Sequence, residues 1–412
     1  MDAGKSIDVG TRSKRNLRLY AALSLIALIL SSGVALPYAG VLGLAFPSEP
    51  PCTIAEQIMA ANTDQAVGSC RAGRGRDRIN VFEDVYLTEP LPPITSSIFI
   101  FGGAERIVAR GPFRIFEVDG GRLTLYSSKL YGGEADAGGA IKVSNGGRLE
   151  LKYSQIHNSS AIDGGAIASY DSEVLLVASR LSGNQASGRG GAIFAIGSTV
   201  TLKASELRAS EAEYGGGVYL VDSTLDAVRT GIADNLARGR GGGLFGERSS
   251  LTMRDAVITG NRSGYGGAGI DLNPGDLTMT HVTLSNNAPG REGAGLHQTM
   301  GKLIMRNSLI ASNGGQDCNS QGQLEENISN LVQDGSCDPM ISGDPLFREV
   351  NGKPTFLGLQ FESPAVDAAN PDFCTDVDAK AFTKPIGPAC DIGAFEYWSP
   401  THASTSAARQ DQ

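Results

Sequence analysis

Five side chains with aromatic, acidic or imidazole groups recur at one position of a repeated motif: Phe194, Tyr219, Phe245, Asp271 and His297. Each follows the last residue of a glycine-rich apolar unit, and the five are spaced 25 or 26 residues apart. If that last residue points into a core, the next one points outward, so the five predict a surface stripe. Rings stacked about 5 Å apart would form a platform for sugar rings. Asp271 and His297, on neighbouring turns, would orient a ligand or act as an acid–base pair.

Two blander interpretations of this stripe stay open. A loop may not be visible in a repeat pattern, so a covering loop would leave the spacing unchanged. The rings would also recur at this interval if they only added to the packing of one sheet.

The other residues with site chemistry form no comparable pattern. They are scattered acids and histidines: Asp163, Asp222, Asp234, Asp255, Asp372, Asp376, Asp378, His157, His281 and His402. The first four acids do not share one column, and the three near the C-terminus lack the glycine and glutamate of an EF-hand calcium loop. The histidines have no recognisable partners, and no phosphate-binding GxxxxGK[ST] motif occurs. We therefore predict no catalytic residue, no metal site and no cofactor.

A repeat of fixed period must position the stripe. Its glycine-rich units are Gly138–Ile141, Gly164–Ile167, Gly190–Ile193, Gly215–Val218, Gly241–Leu244, Gly266–Ile270 and Glu292–Leu296. A second column of small polar residues comprises Ser159, Asn184, Ser210, Asn235, Asn261, Asn287 and Asn313. Between them apolar residues alternate, as strands require, and three short strands with their turns fit in 25 residues. The period is too short for a propeller blade and predicts an all-β, right-handed parallel β-helix with 25–26 residues per coil.

Glycine and asparagine have separate expected roles in this coil. Glycine adopts corner conformations that are costly for other residues, and it lets neighbouring coils approach closely. The Asn/Ser column would form a ladder of hydrogen bonds along the axis at another corner.

The two ends of the chain differ from the repeat. A basic leader precedes a nearly uncharged run over residues 19–46, which is the pattern of a signal sequence or a signal anchor. Six cysteines occur only near the ends of the repeat, in the order Cys52, Cys70, Cys318, Cys337, Cys374 and Cys390. Of about 15 possible connectivities, pairing between sequence neighbours is the simplest. No CxxC pair suggests zinc, so the cysteines indicate disulfides in an oxidising compartment.

These patterns divide the chain into six segments. We predict a basic cytoplasmic leader over 1–18, a signal or anchor over 19–46, an N-terminal cap over 47–97, the β-helix over 98–313, a C-terminal cap over 314–398 and a disordered tail over 399–412. Thr53 and Glu56 form a capping-box pattern that predicts a short helix, with Ile54 and Ile58 closing the open end of the coil. The C-terminal cap is expected to be irregular and to carry disulfides.

Three stretches resemble known bacterial β-helix proteins. The GGA[ILV] unit with its aliphatic-x-x-Asn partner resembles repeats of chlamydial polymorphic outer-membrane proteins. "CTIAEQIMAANTD" (52–64) looks like the CSLREA-type segment that opens many bacterial surface β-helix proteins, although Ala55 and Gln57 depart from it. "SPAVDAAN" (363–370) and "ACDIGAFE" (389–396) are similar to the closing segment of the choice-of-anchor Q group, although Lys384 and residues 378–381 replace its usual Asp-x-x-Gly…Arg stretch. The resemblance implies an exported β-helix with no established catalysis.

The function predicted from these observations is not enzymatic. We expect an exported cell-envelope or surface protein, membrane-anchored, periplasmic or extracellular, with a structural, adhesive or carbohydrate-binding role. Its partners would be a polysaccharide or a surface protein, and the membrane if the N-terminal segment is uncleaved. The net charge of −9 argues against nucleic acid. The alternative is a polysaccharide-active enzyme, a lyase or hydrolase on a pectate-lyase-like β-helix.

Overall fold

The computed structural model describes residues 51–350 and 353–397, which form a parallel β-helix with one short α-helix at its N-terminal end. The predicted all-β solenoid is therefore confirmed. The leader (1–18), the apolar segment (19–46) and the tail (399–412) lie outside the described residues. Within the described part of the chain, no helix is long and apolar enough to cross a bilayer.

Each coil contributes strands to three parallel sheets. The first sheet contains eleven strands: Arg76–Asn80, Ser97–Phe101, Arg122–Tyr126, Arg148–Lys152, Glu173–Val177, Thr199–Lys203, Thr224–Val228, Ser249–Arg254, Gly275–Thr280, Lys302–Arg306 and Gln323–Ile328. The second contains eleven shorter strands: Val85–Leu87, Arg106–Ala109, Lys129–Tyr131, Gln155–His157, Arg180–Ser182, Glu206–Arg208, Gly231–Ala233, Val257–Thr259, Thr283–Ser285, Leu309–Ala311 and Leu331–Val332. Strands of successive coils are in register, so residues one period apart lie side by side.

The third sheet is split into two arms along most of its length. Its strands are Phe116–Asp119, Glu134–Ala137, Ile141–Ser144, Ser160–Asp163, Ile167–Tyr170, Gln185–Arg189, Ile193–Ile196, Glu211–Ala212, Val218–Val221, Leu236–Arg240, Leu244–Glu247, Arg262–Leu272, Ala288–Gln298 and Gln316–Ser320. In most coils a first arm runs up to the glycine pair and a second arm follows it. The two arms merge into single strands at Arg262–Leu272 and Ala288–Gln298.

Alternation along each strand builds one continuous apolar core. In the first sheet Leu149, Val174, Val200 and Leu225 are ladder neighbours, and all four point inward and are buried. Because identical positions stack, each aliphatic side chain packs on its counterpart in the next coil. The core thus grows by one layer per period.

The glycine pair performs both predicted roles. Gly190 has φ +65°, a left-handed conformation that favours glycine at this corner. Gly191 lies directly under the next coil, and a Cβ placed on it would overlap the carbonyl oxygen of Gly216. The first glycine therefore turns the chain, and the second allows the coils to stack.

Polar ladders run along the corners. In the predicted column the Asn261 side chain accepts from the backbone N–H of Asn235 at 3.0 Å and donates to Asn287 Oδ1 at 2.9 Å. Two serine columns that we did not predict have a related arrangement: Ser128, Ser154, Ser179 and Ser205, and Ser172, Ser198, Ser223 and Ser249. In each, a backbone N–H donates to the serine hydroxyl of the next coil, which satisfies polar groups at the buried corners.

The N-terminal end is closed by the predicted helix. Helix α1 spans Ile54–Thr63, and Thr53 and Glu56 form the capping box. Ile58 is fully buried in the main core, and Ile54 packs against it. The cysteines pair between sequence neighbours as predicted: Cys52–Cys70, Cys318–Cys337 and Cys374–Cys390.

The stacked strands extend beyond the predicted limits of 98 and 313. The first sheet starts at Arg76–Asn80, and the strands Gln316–Ser320, Gln323–Ile328 and Leu331–Val332 add a further coil inside the segment predicted as cap. These coils lack the glycine pair, so the period that defined the repeat does not mark them. After them Phe347–Val350 and Lys353–Leu359 form an antiparallel hairpin.

The last described residues lie along the side of the solenoid. This segment, residues 363–397, is called the C-terminal strap; it contains one 3₁₀ turn, Pro371–Phe373. Its Ala365, Ala369 and Ile392 pack with Leu309 and Leu331 of the second sheet. The strap therefore covers the outer face of that sheet in the last coils, where its side chains are apolar.

Candidate binding faces on the coil

The predicted stripe is continuous but buried. Phe194 pairs in register with Tyr219, Tyr219 with Phe245, Phe245 with Asp271, and Asp271 with His297. The three rings lie outside the coil core in a cluster of their own. Phe194, Tyr219 and Phe245 are only 1%, 6% and 3% exposed, so the prediction that they form an open surface platform is wrong.

The first arm of the third sheet covers the rings. Its last residue, directly before each glycine pair, folds back over the second arm. Arg189 lies 4.6 Å from the Phe194 ring centroid and donates hydrogen bonds to both carboxylate oxygens of Asp163. Tyr214 lies 6.2 Å from Phe245. The residue before the glycines was the available sequence signal, because long side chains occupy this position in successive coils.

Tyr219 illustrates how closed the column is. Its hydroxyl donates to Glu247 Oε1 at 2.8 Å. Burial, and then the hydrogen bond to Glu247, raise the pKa of the Tyr219 hydroxyl well above its ordinary value. The ring therefore packs as a neutral, anchored part of the fold.

Asp271 and His297 meet as their spacing predicted. The Asp271 Oδ1 and His297 Nδ1 atoms are 3.2 Å apart. The other carboxylate oxygen accepts from the Gly267 N–H at 2.8 Å and from Arg240 Nε at 3.2 Å. Asp271 is fully buried and the His297 side chain is 10% exposed. The carboxylate can fix the orientation of the imidazole, but it also holds a guanidinium and lies below the surface.

The scattered residues have structural partners. The four acids of the coil pair with basic side chains, as Asp163–Arg189, Asp222–Arg248, Asp234–Arg208 and Asp255–Lys384. His157 stacks on Tyr131 with 4.9 Å between ring centroids, and His281 bonds to the strap. His402 lies outside the described residues. In residues 51–350 and 353–397, no three His, Cys, Asp or Glu side chains are grouped to hold a metal ion.

The outer face of the first sheet carries an aromatic cluster that sequence reasoning missed. Phe101 and Tyr126 are ladder neighbours, and their rings stack with 5.9 Å between centroids. Tyr126 also contacts Phe99 at 6.2 Å and Tyr153, edge-on, at 5.3 Å. Phe99, Phe101 and Tyr126 are half-buried, whereas Tyr153 is 56% exposed. These four rings span three consecutive coils and reach solvent.

Basic side chains surround these rings. Arg78 lies 5.6 Å from the Phe99 centroid and 5.5 Å from that of Phe101, and Arg76 lies 5.5 Å from Phe99. We call this surface the aromatic–arginine face; it comprises Arg76, Arg78, Phe99, Phe101, Arg122, Tyr126, Arg148, Lys152 and Tyr153. Guanidinium groups over aromatic faces are favourable contacts and keep the rings in place.

One buried carboxylate organises the centre of this face. Glu150, whose side chain is 3% exposed, forms ion pairs with Arg122, Arg148 at 3.1 Å and Lys152 at 3.0 Å. Burial opposes ionisation, but the hydrogen bond from Lys152 and the neighbouring positive charges lower the pKa of Glu150. The carboxylate therefore stays charged and holds three cations beside the rings.

No family model and no curated protein matches the chain. Among solved structures, the chain is similar to one titled as the crystal structure of pectate lyase Pel9A, at 14% sequence identity. The match covers 79% of this chain and 86% of the other, with a TM-score of 0.47. The resemblance to CSLREA-type and choice-of-anchor Q proteins is not confirmed by these comparisons.

Proposed function

We propose that this protein is an exported cell-envelope or surface β-helix that binds carbohydrate through its aromatic–arginine face and performs no catalytic step. The observation that carries the proposal is the cluster of four rings, open to solvent, across three coils. Aromatic faces pack against the apolar faces of sugars, and a rigid sheet holds these rings at fixed intervals. The three disulfides support export, because such bonds persist in oxidising compartments.

A glycan array with the purified full chain tests this proposal. We expect saturable binding without new reducing or unsaturated ends. The double variant Tyr126→Ala/Tyr153→Ala should bind roughly tenfold more weakly, since each ring loses stacking contact. Tyr265→Ala is the matched control, because Tyr265 is also 56% exposed but lies on the third sheet. Equal binding by all three proteins would contradict the proposed face.

The alternative function, a polysaccharide-active enzyme, has one specific observation in its favour, the contact between Asp271 and His297. It requires substrate to displace the first arm from the third sheet. Product formation that disappears in Asp271→Asn would establish this alternative and reject a purely binding role. An array without any binding would instead favour a structural or protein-binding role.

A further inference from the structure

We infer that the carbohydrate bound by the aromatic–arginine face is an anionic polysaccharide, with its acidic groups on Arg122 and Arg148. This inference rests on the proposed function and specifies its ligand. It follows from the distribution of charge on the first sheet, from the arrangement of two arginines in its ladder and from their position beside the rings.

The face is positive on a negatively charged protein. Five basic side chains, Arg76, Arg78, Arg122, Arg148 and Lys152, face only Glu150 and Glu173 among the carboxylates of the ion pairs described here, which leaves a net charge of +3. The whole chain has a net charge of −9. A local excess of opposite sign to the rest of the molecule attracts anions to this surface.

The two central arginines are direct ladder neighbours. Arg148 pairs in register with Arg122, so two guanidinium groups lie on adjacent strands about 4.8 Å apart. Like charges in this arrangement repel, and Glu150 compensates only part of the charge. An anion above them would relieve the repulsion.

These guanidinium groups are held in place and still reach solvent. The Arg122 and Arg148 side chains are 43% and 42% exposed. Among the described contacts, the hydrogen bonds of Arg148 to Glu150 and Glu173 use two of its five N–H donors. The donors that remain suit carboxylate, sulfate or phosphate oxygens, which arginine binds in a bidentate manner.

The cations and the rings form two parallel rows along the axis. Arg122 and Arg148 begin their strands, whereas Tyr126 and Lys152 end the same strands four residues later. A polysaccharide that follows the axis would place sugar faces on Tyr126 and Tyr153 and acidic groups on the arginine row. Neutral sugars would use only the first row.

The test measures binding of alginate, a polyuronate, to the full chain, with esterified alginate as a probe of the same backbone and less charge. We expect alginate to bind and esterified alginate to bind at least tenfold more weakly. Arg122→Gln/Arg148→Gln should weaken alginate binding roughly ten- to hundredfold. Arg76→Gln/Arg78→Gln, which leaves the Glu150 ion pairs intact, should weaken it about tenfold even if the first variant folds poorly. Arg248→Gln, an exposed arginine paired with Asp222, is the control and should bind normally.

The outcomes separate the two proposals. If alginate and its ester bind equally and both are lost in Tyr126→Ala/Tyr153→Ala, carbohydrate binding stands and the anionic ligand is rejected. If vesicles containing anionic phospholipid bind as tightly as alginate, the polysaccharide assignment is overturned. If Arg248→Gln weakens binding as much as the two face variants, attraction is non-specific and the assigned face is wrong.

Discussion

Arg189 closes the predicted aromatic column, because its guanidinium covers Phe194 and is held there by Asp163. Arg248 offers a comparison, since it forms the same type of pair with Asp222 one period apart but covers no ring. Asp163 is 16% exposed, whereas Asp222 is 54% exposed. Burial of the acceptor makes the first pair harder to replace with water.

We predict that Arg189→Gln lowers the free energy of unfolding by about 1–2 kcal/mol, because Asp163 loses a charged partner and Phe194 its cover. Arg248→Gln should change it by less than about 0.5 kcal/mol, as expected of an exposed pair. Urea unfolding of both variants measures the difference. Equal losses would show that the covering role of Arg189 has no energetic consequence.

His281 joins the coil to the C-terminal strap in its neutral form. Its Nδ1 donates to the Gly393 carbonyl at 3.2 Å, and its Nε2 accepts from the Asn307 amide at 3.1 Å. Burial, followed by the charge of Lys384, lowers the pKa of His281 from 6.5 to about 3. The unfolded chain therefore binds a proton at a pH where the folded chain does not.

This difference predicts a loss of stability in acid. The loss attributable to His281 should begin as the pH falls below 6.5 and should grow until about pH 3. At pH 4.5 it amounts to about 3 kcal/mol. His281→Asn suits the left-handed φ of +50° at this position and does not titrate. Urea unfolding should show wild type losing stability relative to this variant between pH 7 and 4.5, with other acids such as Asp391 cancelling in the comparison. Parallel pH profiles would disprove it.

At the level of the repeated elements, the second glycine of each pair sets the distance between coils. We predict that Gly191→Ala lowers the free energy of unfolding by about 3 kcal/mol or more or prevents folding, because its Cβ meets the backbone of the next coil. Gly231→Ala is the control, since a Cβ there would have its nearest neighbour, Glu206 Cγ, at 3.8 Å. Thermal unfolding and soluble yield measure both. A Gly191→Ala protein as stable as the control would mean that the coils can separate without cost.

The repeat was predictable at this level because it is a backbone requirement. Gly191 and Asn261 each answer a need that recurs in every coil, so their types and spacing reveal the solenoid. The serine columns follow the same period and were missed, since serine is also common on surfaces and its period does not stand out. The cover of Arg189 over Phe194 was missed for a different reason. Alternation tells whether a side chain leaves the coil core, but not whether another arm of the chain lies above it.

The molecule as a whole is held together by contacts between its last segment and coils formed much earlier in the chain. Lys384 of the strap forms a buried ion pair with Asp255 at 3.2 Å, and Thr375 donates to the same carboxylate at 2.7 Å. Burial raises the pKa of Asp255 even though Lys384 lies beside it. The location of this strap was not predictable, because residues 363–397 have no period to relate them to the coils.

We predict that Lys384→Met lowers the free energy of unfolding by about 3–5 kcal/mol, because Asp255 remains buried without a cation. Asp255→Asn/Lys384→Met should recover most of this loss, since it removes both charges. Hydrogen exchange should show the single variant opening first over residues 363–397. If the single and double variants are equally stable, the ion pair does not hold the strap.

The long reach of the strap has a consequence for how the protein is made. Its hydrogen bonds and ion pair to Asp255 and His281 join residues 112 to 129 positions apart. Synthesis proceeds from the N-terminus, so these coils are complete before the strap that covers them exists. A chain whose translation stops before residue 384 would leave Val257 and Leu309 open to water and Asp255 without its cation. Unfinished chains would thereby display an apolar flank, the feature that chaperones and proteases select.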